Sequence, residues 1–573
     1  MHRRTIILAG EEAGPVSNKL GGIWNVINNE AITLAKLISK GEIKENIRLL
    51  IAGPYYPHKG TDWNAGKDRV TDISGLNKLN LDETLSKTLK TLKERGIDTI
   101  TASKKVEGVE IGYILFDTSR FNVIEIVYKN KTYRLSDMIK TEAYELFGLD
   151  SLKYELSGYG KEYTHYLNLS YAISEFAKEL SKNERVSLHC HEFGVFFAAA
   201  RLELKRVPIN TLATFHATIV GRSYGASVLE KVYNNDPTWN PAAPEGLAKL
   251  EELAKYADSI TFVGDTTRKE ARLFYGVDGI VVRNGIEVDK DHIDWEKKEK
   301  CRTRIQEFVA KNLYEYYDGE KIDPEHLIPL YTISRIELEN KGYPDLLDSM
   351  IILDRLLANY IRNGWIDEET KVVCFLITAH GPKEKSRLPR GFPIYLPEEV
   401  LVGEELRLSK MIDDRRLHPK CLVTERRVVS TILYPQWVGK DDGGLNMTAS
   451  EIASGCVAGI FPSKYEPFLL TGLEACREGT PILVGRSCGF SDAALEHEMR
   501  KGTLGGVIVV DNMALPYQEY ISDYAFGMGF LVSEFIRDKV KYRLLCGDAF
   551  ELAKTMSWED PVKKYYELLL IES

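Results

Sequence analysis

Residues 461–479 read FPSKYEPFLLTGLEACREG, and the rest of the chain is organised around them. A short apolar run at 457–461 predicts a strand, a loop follows, and apolar residues at helical spacing begin near Leu469. Glu466 then lies in the loop and Glu474 in the second turn of the helix. Because a helix N-terminus offers unpaired N–H groups and a positive dipole end, the stretch predicts an anion-binding crevice at the carboxyl edge of an α/β sheet.

Bulk composition describes a globular protein of more than one domain. The chain has 573 residues, a charged fraction of 28% and a net charge of −9, which argues against a nucleic-acid-binding surface. Its 8 cysteines include no C-x-x-C pair, so the sequence predicts reduced thiols, with neither a zinc cluster nor a disulfide framework. The apolar run at 5–9 is too short for a signal segment and reads as a first strand. We therefore expect a cytoplasmic protein with no membrane partner.

Strands and helices alternate along most of the chain, which predicts parallel sheets covered on both faces. Strands are predicted at 5–9, 47–52, 109–116, 186–189, 209–215, 260–263 and 280–282, then at 328–333, 372–378, 431–433, 457–461, 482–484 and 507–510. Helices are predicted at 23–38, 87–95, 161–180 and 295–317, with a Pro-rich excursion over 381–427. We place one domain at 1–285 and a second at 286–532, with a long helical insertion near 293–319. The last helices, 533–573, are expected to return to the first domain.

Several polar motifs follow predicted strands. Residues 18–24 read NKLGGIW, 189–192 read HCHE, 216–222 read HATIVGR, and 334–342 read SRIELENKG. Paired glycines allow close approach to a phosphate or sugar. The two histidines of HCHE suggest a metal, but no third ligand follows at a convincing spacing, so we expect none. Taken singly, each motif is also compatible with an ordinary turn or a solvated surface.

In this order the motifs resemble those of the eukaryotic-type glycogen synthases. SKYEPFLLTGLE resembles S-Y-Y-E-P-W-G-Y-T-P-A-E, and NKLGGIW resembles N-K-V-G-G-I-Y-T. HCHE, HATIVGR and SRIELENKG resemble H-F-H-E-W, T-H-A-T-L-L-G-R and G-R-Y-E-F-S-N-K-G. Shorter matches occur at 281–286, 304–309, 454–456 and 488–490. The resemblance implies two Rossmann-like domains facing across a cleft, the GT-B fold, with the nucleotide sugar on the C-terminal domain and the acceptor on the N-terminal one.

The resemblance also implies roles for individual residues. Arg335 and Lys341 would grip the donor diphosphate, Glu466 would hold the glucose hydroxyls, and His191 would lie near the sugar. Glu474 would accept hydrogen bonds from the ribose hydroxyls. The implied substrate-binding residues are Lys19, Gly21, Gly22, His216, Arg222, Asn284, Thr471 and Glu474. A departing diphosphate needs stabilisation, and charge-assisted bonds of about 1.5–3 kcal/mol each exceed a helix dipole at roughly 0.3–1 kcal/mol. We therefore expect no metal and no pyridoxal phosphate.

The implied activity is that of a glycogen (starch) synthase, which transfers glucose with retention from UDP-glucose or ADP-glucose to an α-1,4-glucan. A retaining transferase for another sugar or acceptor, or a non-catalytic glucan-binding relative, stays open as an alternative. A homo-oligomer is expected from the helix near 295–317.

Some positions depart from the family pattern. Leu469 and Leu470 replace its Gly-Tyr, Gly472 replaces Pro, and Ala449 falls where a tyrosine meets the uracil, so base preference stays open. The matching C-terminal helix, about 537–543, carries only scattered basic residues. We expect no glucose 6-phosphate or phosphorylation control.

Overall fold

The chain folds into two compact units. The computed structural model describes residues 3–15, 22–57, 69–233, 236, 238, 244–313, 323–379, 401, 403–501 and 505–571. One unit comprises Met1–Gly285 with Trp558–Ser573, and the other comprises Ile286–Ser557. The chain therefore leaves the first unit after Gly285 and returns to it at Trp558.

An eight-stranded sheet forms the centre of the first unit, in the order β10-β9-β8-β7-β1-β2-β4-β3. Its strands are β1 Arg4–Gly10, β2 Ile47–Pro54, β3 Asp98–Val106, β4 Val109–Asp117, β7 Arg185–His191, β8 Asn210–Phe215, β9 Ser259–Phe262 and β10 Ile280–Val281, and a separate hairpin pairs β5 Glu125–Tyr128 with β6 Lys131–Arg134. All pairings in the large sheet are parallel except β3 with β4. Residues of β1 are buried along its whole length, as expected for a central parallel strand.

Helices cover this sheet. They are α1 Ile23–Ser39, α2 Glu83–Glu94, α3 Leu135–Phe147, α4 Ser151–Glu155, α5 Gly160–Leu180, α6 Phe196–Leu204, α7 Ile219–Tyr224, α8 Ser227–Tyr233, α9 Glu245–Glu251 and α10 Asp265–Tyr275. Seventeen of the 21 residues of α5 are buried, among them Leu167, Leu169, Ile173 and Phe176. This helix is therefore enclosed on nearly all sides.

A six-stranded parallel sheet forms the centre of the second unit, in the order β13-β12-β11-β14-β15-β16. Its strands are β11 Leu327–Arg335, β12 Lys371–Ala379, β13 Val429–Tyr434, β14 Ala458–Phe461, β15 Ile482–Gly485 and β16 Val507–Val510. Counted from β11, this is the 3-2-1-4-5-6 order of the doubly wound nucleotide-binding fold, in which ligands bind where the strand order reverses.

The helices of the second unit are α11 Trp295–Leu313, α12 Tyr343–Arg362, α13 Glu404–Asp414, α14 Cys421–Thr424, α15 Ala449–Gly455, α16 Leu470–Arg477, α17 Ser491–Lys501, α18 Tyr517–Arg537 and α19 Lys539–Thr555. The last helix, α20 Glu559–Leu570, packs against α1, β7 and β8 of the first unit. Val562, Tyr565 and Leu569 are buried in that unit's core.

The expected return of 533–573 to the first domain is wrong over 533–557. Helix α19 packs on α16 and α18, and the Tyr542 hydroxyl donates to the Val457 carbonyl at 2.9 Å. The apolar face of α19 is thus already covered within the second unit, and only α20 crosses back.

Other expectations differ in smaller ways. The predicted helix over 537–543 is broken at Asp538, which has an extended φ of −136° and caps α19 through the Lys541 N–H. Strand β3 was missed because it is an edge strand rich in polar residues. Of the predicted insertion near 293–319, α11 covers 295–313, and residues 314–319 lie outside the described residues. Of the excursion 381–427, residues 381–400 and 402 lie outside them, and the described part contains α13 and α14.

No helix among the described residues is both long and apolar enough to span a membrane.

Candidate functional site

The motif residues lie at the switch point of each sheet. In the second unit, β11 and β14 are neighbours whose connections leave in opposite directions, and Arg335 ends β11 while Glu466 follows β14. In the first unit, β1 and β7 are the corresponding pair, and Gly10 pairs with His191 at their carboxyl ends. Each unit therefore places its motif residues where an open α/β sheet binds ligands.

The loops after β11 and β14 are held together by their backbones. The N–H groups of Lys464 and Tyr465 donate to the Asn340 carbonyl at 2.8 and 3.2 Å. Gly342 has a φ of +66°, and a Cβ atom there would lie 2.0 Å from the Pro462 carbonyl oxygen. Only glycine fits both the conformation and the space, so this residue fixes the position of Lys341 beside the second loop.

Lys341 and Glu466, predicted to act together, are in contact. The Lys341 ammonium forms an ion pair with Glu466 Oε2, and the two side chains are only 10% and 20% exposed. A bound substrate can replace this partly buried ion pair. A diphosphate can accept charge-assisted hydrogen bonds from the Lys341 ammonium, while a sugar hydroxyl donates to the Glu466 carboxylate.

Arg335 belongs to the same loop region but has a different partner. Its guanidinium forms an ion pair with Glu337 at 3.0 Å and is 60% exposed. The Asn340 amide donates to the Glu337 carboxylate at 3.4 Å, so Glu337 connects Arg335 to the loop that carries Lys341. The structure thus brings Lys341 to Glu466 directly and leaves Arg335 at the solvent-facing end of the group.

A third loop, at 488–490, packs against the loop that carries Glu466. The Gly489 N–H donates to the Glu466 carbonyl at 3.1 Å, and the Phe490 N–H donates to the Phe468 carbonyl at 2.8 Å. A Cβ atom on Gly489 would lie 2.0 Å from the Pro467 carbonyl oxygen. The Cys-Gly-Phe motif at 488–490 therefore packs its backbone directly against the Glu-Pro-Phe motif.

Helix α16 begins after Leu469, which has a φ of +87° and a ψ of 66°. This left-handed conformation normally belongs to glycine, and here it stands at the position where the family pattern has Gly. A Cβ atom on Gly472 would lie 2.7 Å from Leu469 Cδ2. The Leu469 side chain therefore fills the space that a proline side chain, which the family pattern has at position 472, would occupy.

Glu474 lies in the second turn of α16, as expected. Burial raises the pKa of its carboxyl group, and Arg477 partly opposes that effect. None of the described side chains hydrogen-bonds to the Glu474 carboxylate. Thr471, at the second position of α16, is half-buried. Both residues are therefore placed to receive a ligand at this helix N-terminus.

In the first unit three histidines and Glu30 form a buried group. Glu30 Oε1 lies 2.8 Å from His189 Nδ1, and Glu30 Oε2 lies 3.1 Å from His191 Nε2. His191 Nδ1 lies 3.2 Å from His216 Nε2. Burial lowers the pKa of His191 to about 4. Burial acts to raise the pKa of Glu30, but His189 and His191 outweigh it and lower that pKa to about 2. At neutral pH Glu30 is therefore anionic and His191 is neutral.

A second group, in which two carboxyl groups are buried and one arginine is exposed, adjoins it. Arg222 donates to Glu192 Oε2 at 3.1 Å, and Glu251 Oε2 accepts from the Ile219 N–H at 2.7 Å. Burial raises the pKa of Glu192 to about 7 against the opposing charge of Arg222, and burial together with Glu192 raises the pKa of Glu251 well above its usual value. Two neighbouring buried carboxyl groups whose pKa values are both raised are a feature of functional sites.

The remaining predicted residues are distributed as follows. Lys19 and Gly21 lie outside the described residues, and Gly22 is the N-cap of α1. Asn284 is buried in the last loop of the first unit, and its side-chain oxygen has no hydrogen-bond partner among the described residues. Such an atom is available to a ligand or a water molecule.

Sequence reasoning missed Glu30, Glu192 and Glu251 as members of the site. Glu192 was visible in the HCHE motif, but its strained backbone, with φ +73° and ψ 160°, was not. Glu30 and Glu251 lie on α1 and α9, outside any motif, and only the fold brings them to the histidines and to Glu192.

The first unit also contains a cavity of about 440 Å³. It is lined by Tyr55 after β2, by Thr118 after β4, and by Lys161, His165 and Asn168 on α5. Its volume is in the range of small-molecule sites, and its mixture of tyrosine and hydrogen-bonding side chains suits a polyhydroxylated ligand.

Two groups among the described residues could hold a metal ion by distance alone: Glu30 with His189 and His191, and the exposed set His326, Asp367 and Glu369. The first would leave a divalent ion with three ligands and a net positive charge in a fully buried space, which is costly. The direct hydrogen bond between Glu30 Oε1 and His189 Nδ1 accounts for this group without a metal ion.

Comparison with known proteins agrees with this geometry. The family model described as glycogen synthase matches residues 11–384. A glycogen [starch] synthase of Dictyostelium discoideum is 25% identical over 401 residues, covering 59% of this chain and 45% of that protein. The human liver glycogen [starch] synthase is 25% identical over 587 residues, covering 88% and 75%, and isoform 1 of Saccharomyces cerevisiae is 23% identical, covering 93% and 81%.

Among solved structures, the catalytic domain of starch synthase IV from Arabidopsis thaliana, bound to ADP and acarbose, has a TM-score of 0.54 at 14% identity. The alignment covers 98% of this chain and 98% of the starch synthase chain, which shows that the two share a fold. The protein is thus a glycosyltransferase of the GT-B class, with two parallel-sheet domains. Because the family model matches well over half of its length, the chain belongs to the glycogen synthase family.

Proposed function

We propose that this protein transfers glucose from a nucleotide sugar to the non-reducing end of an α-1,4-glucan, with retention of configuration. The observation that carries the proposal is the contact between Lys341 and Glu466 at the switch point of the second unit. The family, whose members in Dictyostelium, human liver and yeast are named glycogen [starch] synthases, supports it.

The second unit would bind the donor. Lys341 and Arg335 supply positive charge where the diphosphate leaves, and the N-terminus of α16 adds a weaker contribution. Glu466, released from Lys341 by the diphosphate, would accept hydrogen bonds from the glucose hydroxyls. Glu474, half-buried and without a hydrogen-bonded partner among the described side chains, would accept from the ribose. Lys19, Gly21 and Gly22 of the first unit are proposed as further substrate-binding residues, with His216, Arg222 and Asn284. His191, which is fully buried, would act through His216 instead of touching the sugar.

The cavity beside Tyr55 and His165 would serve the acceptor. Its lining offers hydroxyl, amide and ammonium groups to sugar hydroxyls and tyrosine faces to the apolar side of a pyranose ring. It opens at the carboxyl edge of the same sheet that carries His191, since its Tyr55 and Thr118 follow β2 and β4. We therefore propose that a glucan chain binds to this cavity.

The reaction as proposed needs neither a metal ion nor pyridoxal phosphate, because Lys341 and Arg335 supply the positive charge. Activity should accordingly survive chelation by EDTA without a lag or loss. Donor base remains unassigned. Ala449, the first residue of α15, offers no ring to stack against either base, so UDP-glucose and ADP-glucose are both candidates.

Regulation by glucose 6-phosphate is not expected. Three basic residues near 537–543 contact different partners. Arg537 lies over the Trp365 ring and Arg543 over the Trp295 ring, and Lys541 forms an ion pair with Glu534. They do not form one cluster that could bind a phosphate. A cytoplasmic location is proposed on the free cysteines, and a homo-oligomer is proposed on the long helix near 295–317.

A retaining transferase that uses another acceptor is the second candidate. The replacement of the family's Gly-Tyr by Leu469 and Leu470 favours it, because these two residues follow Glu466 closely in the chain. Product analysis separates the two: a glucan synthase extends a glycogen primer in α-1,4 linkage, whereas the alternative leaves the primer unchanged and glucosylates a small sugar.

Donor binding provides the direct test of the site. Lys341→Ala should weaken binding of UDP or ADP, whichever the wild type binds, by at least tenfold in calorimetric titration, and should reduce transfer more than a hundredfold. Lys539→Ala, an exposed lysine elsewhere in the second unit, is the matched control and should change neither. Equal effects of the two substitutions, or near-normal transfer by Lys341→Ala, would remove Lys341 from the donor site.

A further inference from the structure

The three buried histidines of the first unit, His189, His191 and His216, differ in their exposure to solvent. His189 and His191 are 0% exposed, whereas His216 is 8% exposed. His191 Nδ1 lies 3.2 Å from His216 Nε2, and His191 Nε2 lies 3.1 Å from Glu30 Oε2 without the geometry of a hydrogen bond. A substrate therefore cannot reach the polar atoms of the His191 ring while this group is intact.

The proton positions follow from the partners. Glu30 lies 2.8 Å from His189 Nδ1 and 3.1 Å from His191 Nε2, and an anionic carboxylate excludes a bare ring nitrogen at either distance. Both imidazoles therefore turn an N–H toward Glu30. His189 Nε2 lies 2.6 Å from the Thr214 hydroxyl oxygen, which in turn lies 2.6 Å from that of Thr261.

The same logic continues on the other side of His191. With its proton on Nε2, His191 presents Nδ1 as an acceptor, so the nitrogen 3.2 Å away, His216 Nε2, must donate. His216 then carries an unprotonated Nδ1. That atom has no hydrogen-bond partner among the described residues, and it belongs to the one partly exposed ring of the three.

We propose that Glu30 is a positioning residue: through His191 it fixes the tautomer of His216, so that His216 Nδ1 accepts a hydrogen bond from a hydroxyl group of the bound sugar. The final step rests on the proposed function. Burial and the neighbouring histidines keep the pKa of His216 well below its usual value, so this ring is a neutral acceptor rather than a charged group.

The first test reads the tautomers directly. In full-length protein without ligand, ¹⁵N NMR of imidazole-labelled histidine distinguishes protonated from bare ring nitrogens, and His191→Asn and His216→Asn variants assign the signals among the 11 histidines. We expect His191 with its proton on Nε2 and His216 with its proton on Nε2. A bare Nε2 on His191 in the wild type would overturn the proposal.

Glu30→Gln provides the perturbation. A glutamine offers one donor and one acceptor to two imidazole N–H groups, so at least one of the two rings must change its tautomer. We expect a changed tautomer pattern that reaches His216, and a loss of kcat of about tenfold or more. An unchanged pattern, or unchanged kcat, would contradict the proposal.

A matched control separates positioning from stability. Glu142 is another buried carboxylate of the first unit, paired with Arg201 and with Lys205 at 3.0 Å. Glu142→Gln should lower the melting temperature while leaving the histidine signals and kcat of the folded protein unchanged. If it lowers kcat as much as Glu30→Gln does, the role of Glu30 is structural only.

Two further outcomes are informative. In a His216→Ala background Glu30→Gln should cause little additional loss of kcat, because the atom that Glu30 positions is gone. Additive losses of kcat would show that Glu30 does not act through His216. Stoichiometric zinc in purified protein, lost on Glu30→Gln, would mean that the carboxylate and histidines ligate a metal instead. If the wild type fails to transfer glucose at all, the proposed function fails, while the tautomer pattern still decides the role of Glu30.

Discussion

Leu469 holds a backbone conformation that usually belongs to glycine. A non-glycine residue in this region costs on the order of 1–2 kcal/mol, and Leu469 occupies it directly before α16, at φ +87°. Its side chain is 4% exposed and packs over Gly472. The two departures from the family pattern are therefore coupled: the leucine is accommodated because residue 472 has no side chain.

This coupling predicts a double-mutant cycle. Gly472→Pro alone should destabilise the second unit by about 1–3 kcal/mol, because the new Cβ atom would lie 2.7 Å from Leu469 Cδ2. Residue 472 is in the first turn of α16, where Pro removes no helical hydrogen bond. In a Leu469→Gly background the same proline should be tolerated. Additive effects in chemical denaturation would show that the two positions are independent.

Glu192 makes the stability of the first unit depend on pH. Its pKa rises from 4.5 to about 7 on folding, so between these values the folded chain binds more protons than the unfolded one. The stabilisation from the protonated form is complete below about pH 4.5 and is lost as the pH rises through about 7. Burial is the main cause of this shift, Arg222 opposes it, and the charge of Glu12 adds to it.

Glu192→Gln should remove this pH dependence. Relative to the variant, the wild type should lose about 1–3 kcal/mol of stability between pH 5 and pH 7.5. Parallel denaturation curves for the two proteins at the two pH values provide the measurement. An identical pH dependence for both would mean that Glu192 is ionised throughout.

At the scale of elements, the loops at the switch point of the second unit depend on two glycines. Gly489 lies against the Pro467 carbonyl and Gly342 against the Pro462 carbonyl, and each added Cβ atom would come within 2.0 Å of that oxygen. Gly342 follows Lys341 in the chain, and the Gly489 N–H donates to the Glu466 carbonyl, so the two glycines together set the positions of Lys341 and Glu466.

Gly489→Ala should therefore displace the loop that carries Glu466. We expect a loss of transfer of at least tenfold with a smaller change in melting temperature, because the clash lies in a loop at the edge of the sheet. Gly439→Ala is the control, since no atom lies within 4 Å of a Cβ atom at that position and its φ is unremarkable. Normal activity of Gly489→Ala would show that the loop can relax without moving Glu466.

Most strands could be predicted from sequence because they are short, apolar and buried on both faces. The edge strand β3 could not, since its polar residues carry no burial pattern. The motif histidines could also be predicted as site residues from the sequence, but Glu30 could not. It meets His189 across 159 residues of chain and lies on a helix whose sequence gives no sign of that contact. The break at Asp538 escaped prediction because the basic residues on both sides of it continue a helical pattern.

At the scale of the whole molecule, the chain crosses between its two units twice, after Gly285 and at Trp558. Helix α20 completes the core of the first unit: Tyr565 is fully buried there, and the Ser187 hydroxyl donates to the Leu569 carbonyl at 2.8 Å. The first unit therefore depends on the last residues of the described chain.

This arrangement predicts selective destabilisation. Tyr565→Ala should weaken the first unit by about 3–5 kcal/mol, whereas Tyr542→Ala on α19 should weaken the second by a similar amount. Hydrogen exchange followed by mass spectrometry assigns each effect to a unit through its peptides. If Tyr565→Ala instead increased exchange in the sheet of the second unit, the assignment of α20 to the first unit would be wrong.

The central claim is that the second unit binds a nucleotide sugar at its switch point and that the protein delivers the glucose to a glucan. The most direct measurement is the transfer of radiolabelled glucose from UDP-glucose and from ADP-glucose to a glycogen primer by the full-length protein. We expect incorporation from at least one donor, released as maltose by an enzyme that cleaves α-1,4 linkages. No incorporation from either donor, with the primer unchanged, would contradict the account.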